Sequence, residues 1–235
     1  MGFTTMVASL LTQPIEQTTL ELREVWSTLT ANSCPYDYNF HLHTIYSDGR
    51  LTPEALIEQA VSLGLKGLAI TDHHSVGGYY LAQQWLADFQ SRHHQTAIPR
   101  LWTGIEITAD LANTEVHILG YGFDPTHPAL IPYLQGNRPT NGHESAALVI
   151  QLLHEAGGLV VLAHPARYRQ PASRLIPLAV QLGIDGLETF YAYGNPKPWQ
   201  SSLPQESEIK DFSDLYGLFQ TCGTDSHGES ILYRL

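Results

Sequence analysis

Residues Phe40 to Gly49 read FHLHTIYSDG. Two histidines and an aspartate stand within eight positions, in and just after an apolar run. A polar imidazole costs free energy to bury, so the pattern calls either for a solvated loop or for a chemical task. On a strand, His41 and His43 point to one side because side chains alternate with period two. Phe40 and Leu42 are then expected to face the covering helices, and Asp48 follows in the next loop.

The same arrangement recurs along the chain. GLAITDHH places Asp72 and His73 after a second apolar run, WTGIEI places Glu106 near the end of a third, and EVHILGY places His117 in a fourth. LVVLAHP places His164 after a fifth, DGLETF places Glu188 in a sixth, and GTDSH places Asp225 and His227 after a seventh. The predicted strands are Tyr38–Leu42, Gly67–Ile70, Leu101–Ile107, Val116–Gly120, Leu159–Ala163, Gly186–Phe190 and Leu215–Cys222. Between them the pattern predicts helices over Pro53–Leu63, Val76–Phe89, Glu144–Ala156, Ser173–Leu182 and Gln205–Leu215. Thr52 before Pro53 supplies a helix cap and a favoured first residue. Asn195–Pro204 reads as a long surface loop.

Strands alternating with helices predict an α/β fold with a mostly parallel sheet, wound as a barrel or left open. In such folds ligands bind at the carboxyl ends of the strands. Six histidines and several carboxylates would meet there. Left alone they would carry a large desolvation cost, whereas bound cations make the cluster self-consistent.

Composition narrows the setting. The 235 residues are 43% hydrophobic, enough for one sizeable core. The formal charge of -11, with three lysines and nine arginines, leaves no broad basic surface for a nucleic-acid backbone, so stable duplex DNA binding is not expected. Bound cations can nonetheless reverse the local sign for an anionic substrate. Cys34 and Cys222 are too few for a disulfide framework, which favours a reducing, cytoplasmic setting, and Cys222 reads as packing. No apolar run approaches the ~20 residues that a membrane span requires. Residues 1–35 read as an N-terminal helical extension, with Leu22, Val25, Trp26 and Leu29 on one face and Pro14 in a first turn. Residues 36–235 form the main domain.

With HLHTIYSDG, ITDHH, GIE, HILGY, AHPARY and GTDSH in this order from Asn39 to His227, the chain resembles the polymerase and histidinol phosphatase (PHP) domain phosphoesterases. The resemblance implies a distorted seven-stranded (β/α) barrel with two or three divalent metals at its mouth. Carried over by position, His41, His43, Glu106 and Asp225 would hold one ion. Asp48, His73 and His227 would hold a second, and His117 and His164 a third, with Glu106 bridging it to the first. An imidazole and carboxylate set without thiolate suits zinc, manganese or iron.

Such ions can bring a bridging water toward a neutral pKa and stabilise charge on phosphoryl oxygens. Arg167, three residues after His164, is the leading phosphate clamp, because a guanidinium can bind two oxygens; the resemblance points to the same residue. Arg138 and Arg50 are weaker candidates. Asp72 is expected to orient a ligating imidazole, and Glu188 is a candidate for the same task. His74, where many relatives carry an acidic or amide residue, either lines the pocket or protonates the leaving group. His93, His94, His127, His143 and His154 read as uninvolved.

Only 46 residues separate His117 from His164, where small relatives carry a helical insertion over the pocket, so a more open site is expected. The chain ends eight residues after His227, and the N-terminal helix is expected to fill the place of a further helix. The leading function is metal-dependent hydrolysis of phosphoesters: a phosphorylated small molecule, a nucleotide, a nucleoside bisphosphate or a short oligonucleotide 5' end. Histidinol phosphate is an alternative within this chemistry. An amidohydrolase is disfavoured because none of the lysines lies at a suitable strand end, and a non-catalytic metal-binding module is the remaining rival.

Overall fold

Local sequence signals set several boundaries in the computed structural model, which describes residues 15–235, with side chains from Gln17 onward. Helix α1 spans Ile15–Trp26; Pro14, expected in its first turn, lies outside the described residues. Strand β1 is Tyr38–Asn39, and α2 is Pro53–Leu63. The Thr52 side chain accepts a 3.2 Å bond from the Ala55 amide, and Gly64, at φ 72°, ends α2 in the left-handed region that favours glycine. Then follow β2 (Gly67–Ala69), α3 (Gly77–Arg92), β3 (Arg100–Trp102), β4 (Gly104–Asp110) and β5 (Glu115–Tyr121). A 3-10 helix at Pro128–Tyr133 precedes α4 (Ala146–Glu155), β6 (Leu159–Leu162) and α5 (Ala172–Gln181). The last elements are β7 (Gly186–Phe190), α6 (Leu203–Tyr216) and β8 (Phe219–Cys222). Helix α6 thus takes Leu215 and Tyr216 from the expected seventh strand, and its first turn shortens the expected loop.

The strands do not form the expected closed seven-stranded barrel. The third strand breaks at Thr103 into β3 and β4, and the ladders fall into a parallel sheet β1-β2-β3 and a sheet β4-β5-β6-β7-β8, neither of which closes. In the larger sheet β5 is antiparallel to both β4 and β6, while β6, β7 and β8 are parallel. The cause is connection length. Only four residues lie between Asp110 and Glu115 in a tight turn, with Ala112 and Asn113 at φ 53° and 60°, whereas a parallel crossover needs about a dozen residues or more. Isolated parallel bridges, Leu42 to Ser226 and His73 to Glu106, tie the segments after β1 and β2 to the larger sheet's side.

Three apolar layers hold these elements. Ile105, Ile107, Val116 and Ile118 pack outward against α4 and α5 through Val149, Ile150, Leu175 and Ile176. Leu42, Leu68 and Ile70 pack against α2 and α3 through Leu56, Ile57 and Leu86. Between the sheets lies an inner cluster of Phe40, Ala69, Trp102, Leu119, Tyr121, Val161, Ala163, Phe190 and Cys222. Leu42 therefore faces helices as expected, but Phe40 faces inward. The β1 ladder ends at Asn39, so strict alternation lapses before the metal-type residues begin. Helix α1 closes the inner cluster with Leu22 and Trp26, whose ring meets Phe40 at 5.9 Å and Tyr121 at 5.3 Å. Among the described residues no helix is long and apolar enough to cross a membrane.

Candidate metal centre

Glu106 projects inward from β4 while its neighbours Ile105 and Ile107 pack outward, and its carboxylate is the hub of the site. Its Oε2 lies 2.9 Å from His41 Nε2, 3.0 Å from His43 Nε2 and 3.6 Å from His73 Nε2. Its Oε1 lies 2.7 Å from His117 Nδ1 and 3.4 Å from His164 Nε2. Asp225 Oδ1 closes one side, 3.4 Å from His41 Nε2 and 3.2 Å from His43 Nε2. On the outer side Asp48 Oδ2 reaches His227 at 3.2 Å and His73 at 3.9 Å. All nine residues expected from the sequence converge. Three groups have donor atoms within 4.8 Å of one another: His41, His43, Glu106 and Asp225; His43, Asp48, His73 and His227; and His73, Glu106 and His117. His164 joins through Glu106 alone.

Electrostatics set this cluster apart from an ordinary polar contact. Burial opposes charge on His41, but Glu188, Glu106 and Asp225 outweigh it and hold its pKa well above the usual histidine value. Burial likewise opposes charge on His43, but the carboxylates of Asp225 and Glu106, 3.2 and 3.0 Å from its Nε2, raise it to about 9. The carboxyls of Glu106 and Asp225 resist ionisation through burial, yet the neighbouring imidazoles, His41 foremost, hold both well below the usual range. Burial lowers His73 to about 4, with His43 and His117 repelling its charge.

The donors fit divalent cations. His43 Nε2, His73 Nδ1 and both ring nitrogens of His164 are buried without a hydrogen-bond partner, although buried polar atoms are ordinarily paired. Imidazole and carboxylate lone pairs that face one another are satisfied by a shared cation.

Several neighbours position these donors. Glu188 bonds His41 Nδ1 through Oε1 at 2.8 Å and accepts the His164 amide through Oε2 at 2.9 Å, which fixes two imidazole-bearing residues at once. Asp72 accepts from the Thr44 amide and hydroxyl and from the Ser47 hydroxyl, each at 2.7 Å, and Ser47 Oγ lies 3.4 Å from His43 Nδ1, so Asp72 shapes the loop after His43 and reaches that imidazole through Ser47 rather than directly. His74 is buried beside the cluster, belongs to none of the three groups, and meets Thr108 Oγ1 at 3.2 Å. Gly223 must lack a side chain, because a Cβ there would collide with that of His41.

Arg167 donates to Asp225 Oδ2 at 2.9 Å and to the Tyr191 hydroxyl at 3.1 Å, at the edge of the centre. Arg138 is paired with Glu115, and Arg50 is exposed. His93, His94, His127, His143 and His154 join none of the three groups. Two contributors are missing from the sequence reading. Tyr191 donates to Asp225 Oδ2 at 2.6 Å, and its place directly after strand β7 was a usable signal. Arg234 donates to the same oxygen at 2.7 Å, from a tail segment with no element pattern to mark it.

Residues 39–192 match the PHP domain family. The chain belongs to that family. The 5'-3' exoribonuclease Rnm of Escherichia coli is 25% identical, over 81% of this chain and 85% of its own. A 3',5'-nucleoside bisphosphate phosphatase of Chromobacterium violaceum is 36% identical over 100 residues, 43% of this chain and 32% of its own. In fold the PHP chain is similar to a crystal structure described as a metal-dependent phosphoesterase from Bifidobacterium adolescentis. The TM-score is 0.67 at 23% identity, over 83% of this chain and 89% of that one. Family and donor cluster together make this PHP protein a metal-dependent phosphoesterase, a hydrolase that binds divalent metal and acts on a phosphorylated substrate.

Proposed function

We propose that the chain hydrolyses phosphate esters of nucleotides, nucleoside bisphosphates or short oligonucleotide 5' ends, with two or three ions of zinc, manganese or iron. His41, His43, Glu106 and Asp225 would hold one ion; Asp48, His73 and His227 a second; His117, His164 and Glu106 a third. The observation that carries this reading is the meeting of five imidazoles on the two oxygens of the buried Glu106. When bound, the ions supply an activated water and Lewis-acid stabilisation of the phosphoryl oxygens. The relatives named as an exoribonuclease and a nucleoside bisphosphate phosphatase support the nucleotide class of substrate.

The chain's own residues do the rest. The guanidinium of Arg167, its side chain 37% exposed, offers parallel donors to phosphate oxygens at the edge of the centre. Glu188 fixes the orientation of His41, and Asp72 fixes the loop that carries Asp48. Burial lowers His74 to about 4, with His117 repelling its charge, so at neutral pH it is uncharged. It therefore serves as a neutral hydrogen-bonding wall of the pocket rather than as a cationic acid.

A metal-supplemented screen of phosphorylated metabolites and 5'-phosphorylated oligonucleotides tests this reading. Release of phosphate or mononucleotide is expected, and His41→Ala or Asp225→Ala should abolish it while circular dichroism stays unchanged. Loaded sites by elemental analysis, with no phosphoester cleaved under any of the three metals, would instead identify a non-catalytic binding module.

A further inference from the structure

The Asp225 carboxylate divides its oxygens. Oδ1 lies among the imidazoles, while Oδ2 takes the Tyr191 hydroxyl at 2.6 Å, Arg234 Nε at 2.7 Å and Arg167 Nη1 at 2.9 Å. Two guanidiniums thus meet one oxygen of a single carboxylate, within a chain whose formal charge is -11.

Arg234 is not placed by a loose tail. Its carbonyl accepts the His227 amide at 2.7 Å. Three residues earlier, the Ile231 carbonyl accepts from Asn39 Nδ2 and Thr224 Oγ1, each at 3.0 Å, and the Ile231 amide donates to Gln59 Oε1 at 3.1 Å. Ile231 itself is fully buried. Each guanidinium has five N–H donors, of which the contacts to Asp225 and Tyr191 use only part. With side chains 37% and 21% exposed, Arg167 and Arg234 can turn the remainder toward an incoming anion.

One oxygen of Asp225 serves the metal donors and the other serves the arginines, so the arginine pair stands beside the reacting position, offset by one carboxylate. We propose that Arg234 determines specificity: with Arg167 it holds a second phosphate, adjoining the ester that is cleaved, so that preferred substrates carry two phosphate groups. This deepens, and rests on, the nucleotide phosphoesterase reading above. Nucleoside 3',5'-bisphosphates and 5'-phosphorylated oligonucleotides have this character, whereas nucleoside monophosphates do not.

Two measurements on wild type, Arg234→Gln and Arg234→Lys test it. In the first, kcat/KM is compared for adenosine 3',5'-bisphosphate and adenosine monophosphate in metal-supplemented enzyme. Loss of charged hydrogen bonds should lower the bisphosphate-to-monophosphate ratio about 10- to 100-fold in Arg234→Gln, mostly through KM, with partial rescue in Arg234→Lys. A merely structural tie between Arg234 and Asp225 would depress both substrates alike and leave the ratio unmoved, which overturns the proposal. In the second, calorimetry measures binding of the same two nucleotides to chelator-treated protein. Tighter binding of the bisphosphate to wild type, erased in Arg234→Gln, supports the clamp; equal affinities in wild type, or a preference surviving in Arg234→Gln, overturn it. Because this binding needs no turnover, absence of phosphatase activity counts against the phosphoesterase reading alone.

Discussion

Replacing Glu188 by glutamine separates orientation of the metal donors from donation itself. Glu188 is 1% exposed and accepts twice, from His41 Nδ1 at 2.8 Å and from the His164 amide at 2.9 Å. A glutamine has one carbonyl oxygen and one amide nitrogen, so it can accept from one of these groups and must present N–H to the other. At least one hydrogen bond to a charged acceptor is lost, worth about 1.5–3 kcal/mol. At 1.36 kcal/mol per factor of ten, the expected loss of metal affinity is about 10- to 150-fold. Competition with a fluorescent zinc chelator reads this directly, and a thermal melt of the ion-free variant checks that the fold survives. Glu106→Gln, which alters the hub itself, should lose more. Affinity for zinc within about threefold of wild type in Glu188→Gln would refute the orienting role, even if turnover fell.

Loading with metal should release protons in a pH-dependent way. In the ion-free protein His43 is raised to about 9 and so is charged at pH 7.5, with His41 raised in the same direction, yet ligating imidazoles must be neutral. In the folded ion-free protein the His43 contribution to stability is fully present below its ordinary pKa of about 6.5 and is lost as pH rises through about 9. Calorimetry in buffers of different ionisation enthalpy should therefore show release of about one proton or more at pH 7.5, diminishing above pH 9; heat independent of buffer at pH 7.5 would contradict the assignment. Trp26→Ala should cost about 3–5 kcal/mol and lower Tm by roughly 6–20 °C, because the ring is 2% exposed between Phe40 and Tyr121. A shift under about 3 °C would mean that α1 is dispensable to the core. Ala112→Gly should stabilise by up to about 1 kcal/mol in urea unfolding, since an exposed alanine at φ 53° occupies a conformation glycine adopts freely; a destabilised variant would count against the turn.

Much of the centre was legible because its residues violate their surroundings. Imidazoles and carboxylates at the ends of apolar runs, such as His164 after LVVLA, stand out where a packed strand would continue with valine or leucine. Helix α2 was readable from Thr52 and Pro53, whose cap chemistry is local. Sheet direction was harder. The β4–β5 turn is built on Ala112 and Asn113 without the glycine that usually marks such a turn, although four intervening residues already forbid a parallel crossover. The route from Asp72 to His43 through Ser47 was not legible, because the Thr44 and Ser47 groups that bond Asp72 lie in a loop whose path no periodicity reveals. Arg234 was invisible for a related reason: backbone carbonyls at Ile231 and Arg234 fix the tail, and a carbonyl carries no residue signature.

The backbone supplies a second sign of function, independent of donor chemistry. His74, His164 and Asp225 have φ of 53°, 27° and 53°, in a region that side-chain-bearing residues avoid at a cost of about 1–3 kcal/mol each. The amide of each donates to another residue of the site: His74 to the Glu106 carbonyl at 3.0 Å, His164 to Glu188 Oε2 at 2.9 Å, and Asp225 to the His41 carbonyl at 2.9 Å. Glycine would relieve the backbone at all three positions, but only by removing a pocket side chain or a candidate ligand. The turns carry the chain sharply off the strand direction, so that neighbours such as His73 and His74, or Asp225 and His227, reach different partners instead of alternating across a sheet. The hydrogen bonds that restrain these turns come from the same residues that the turns bring together. Cations held by Glu106, His41 and Asp225, as proposed, would therefore stabilise donor geometry and strained backbone at once, coupling the local stability of the centre to its metal content.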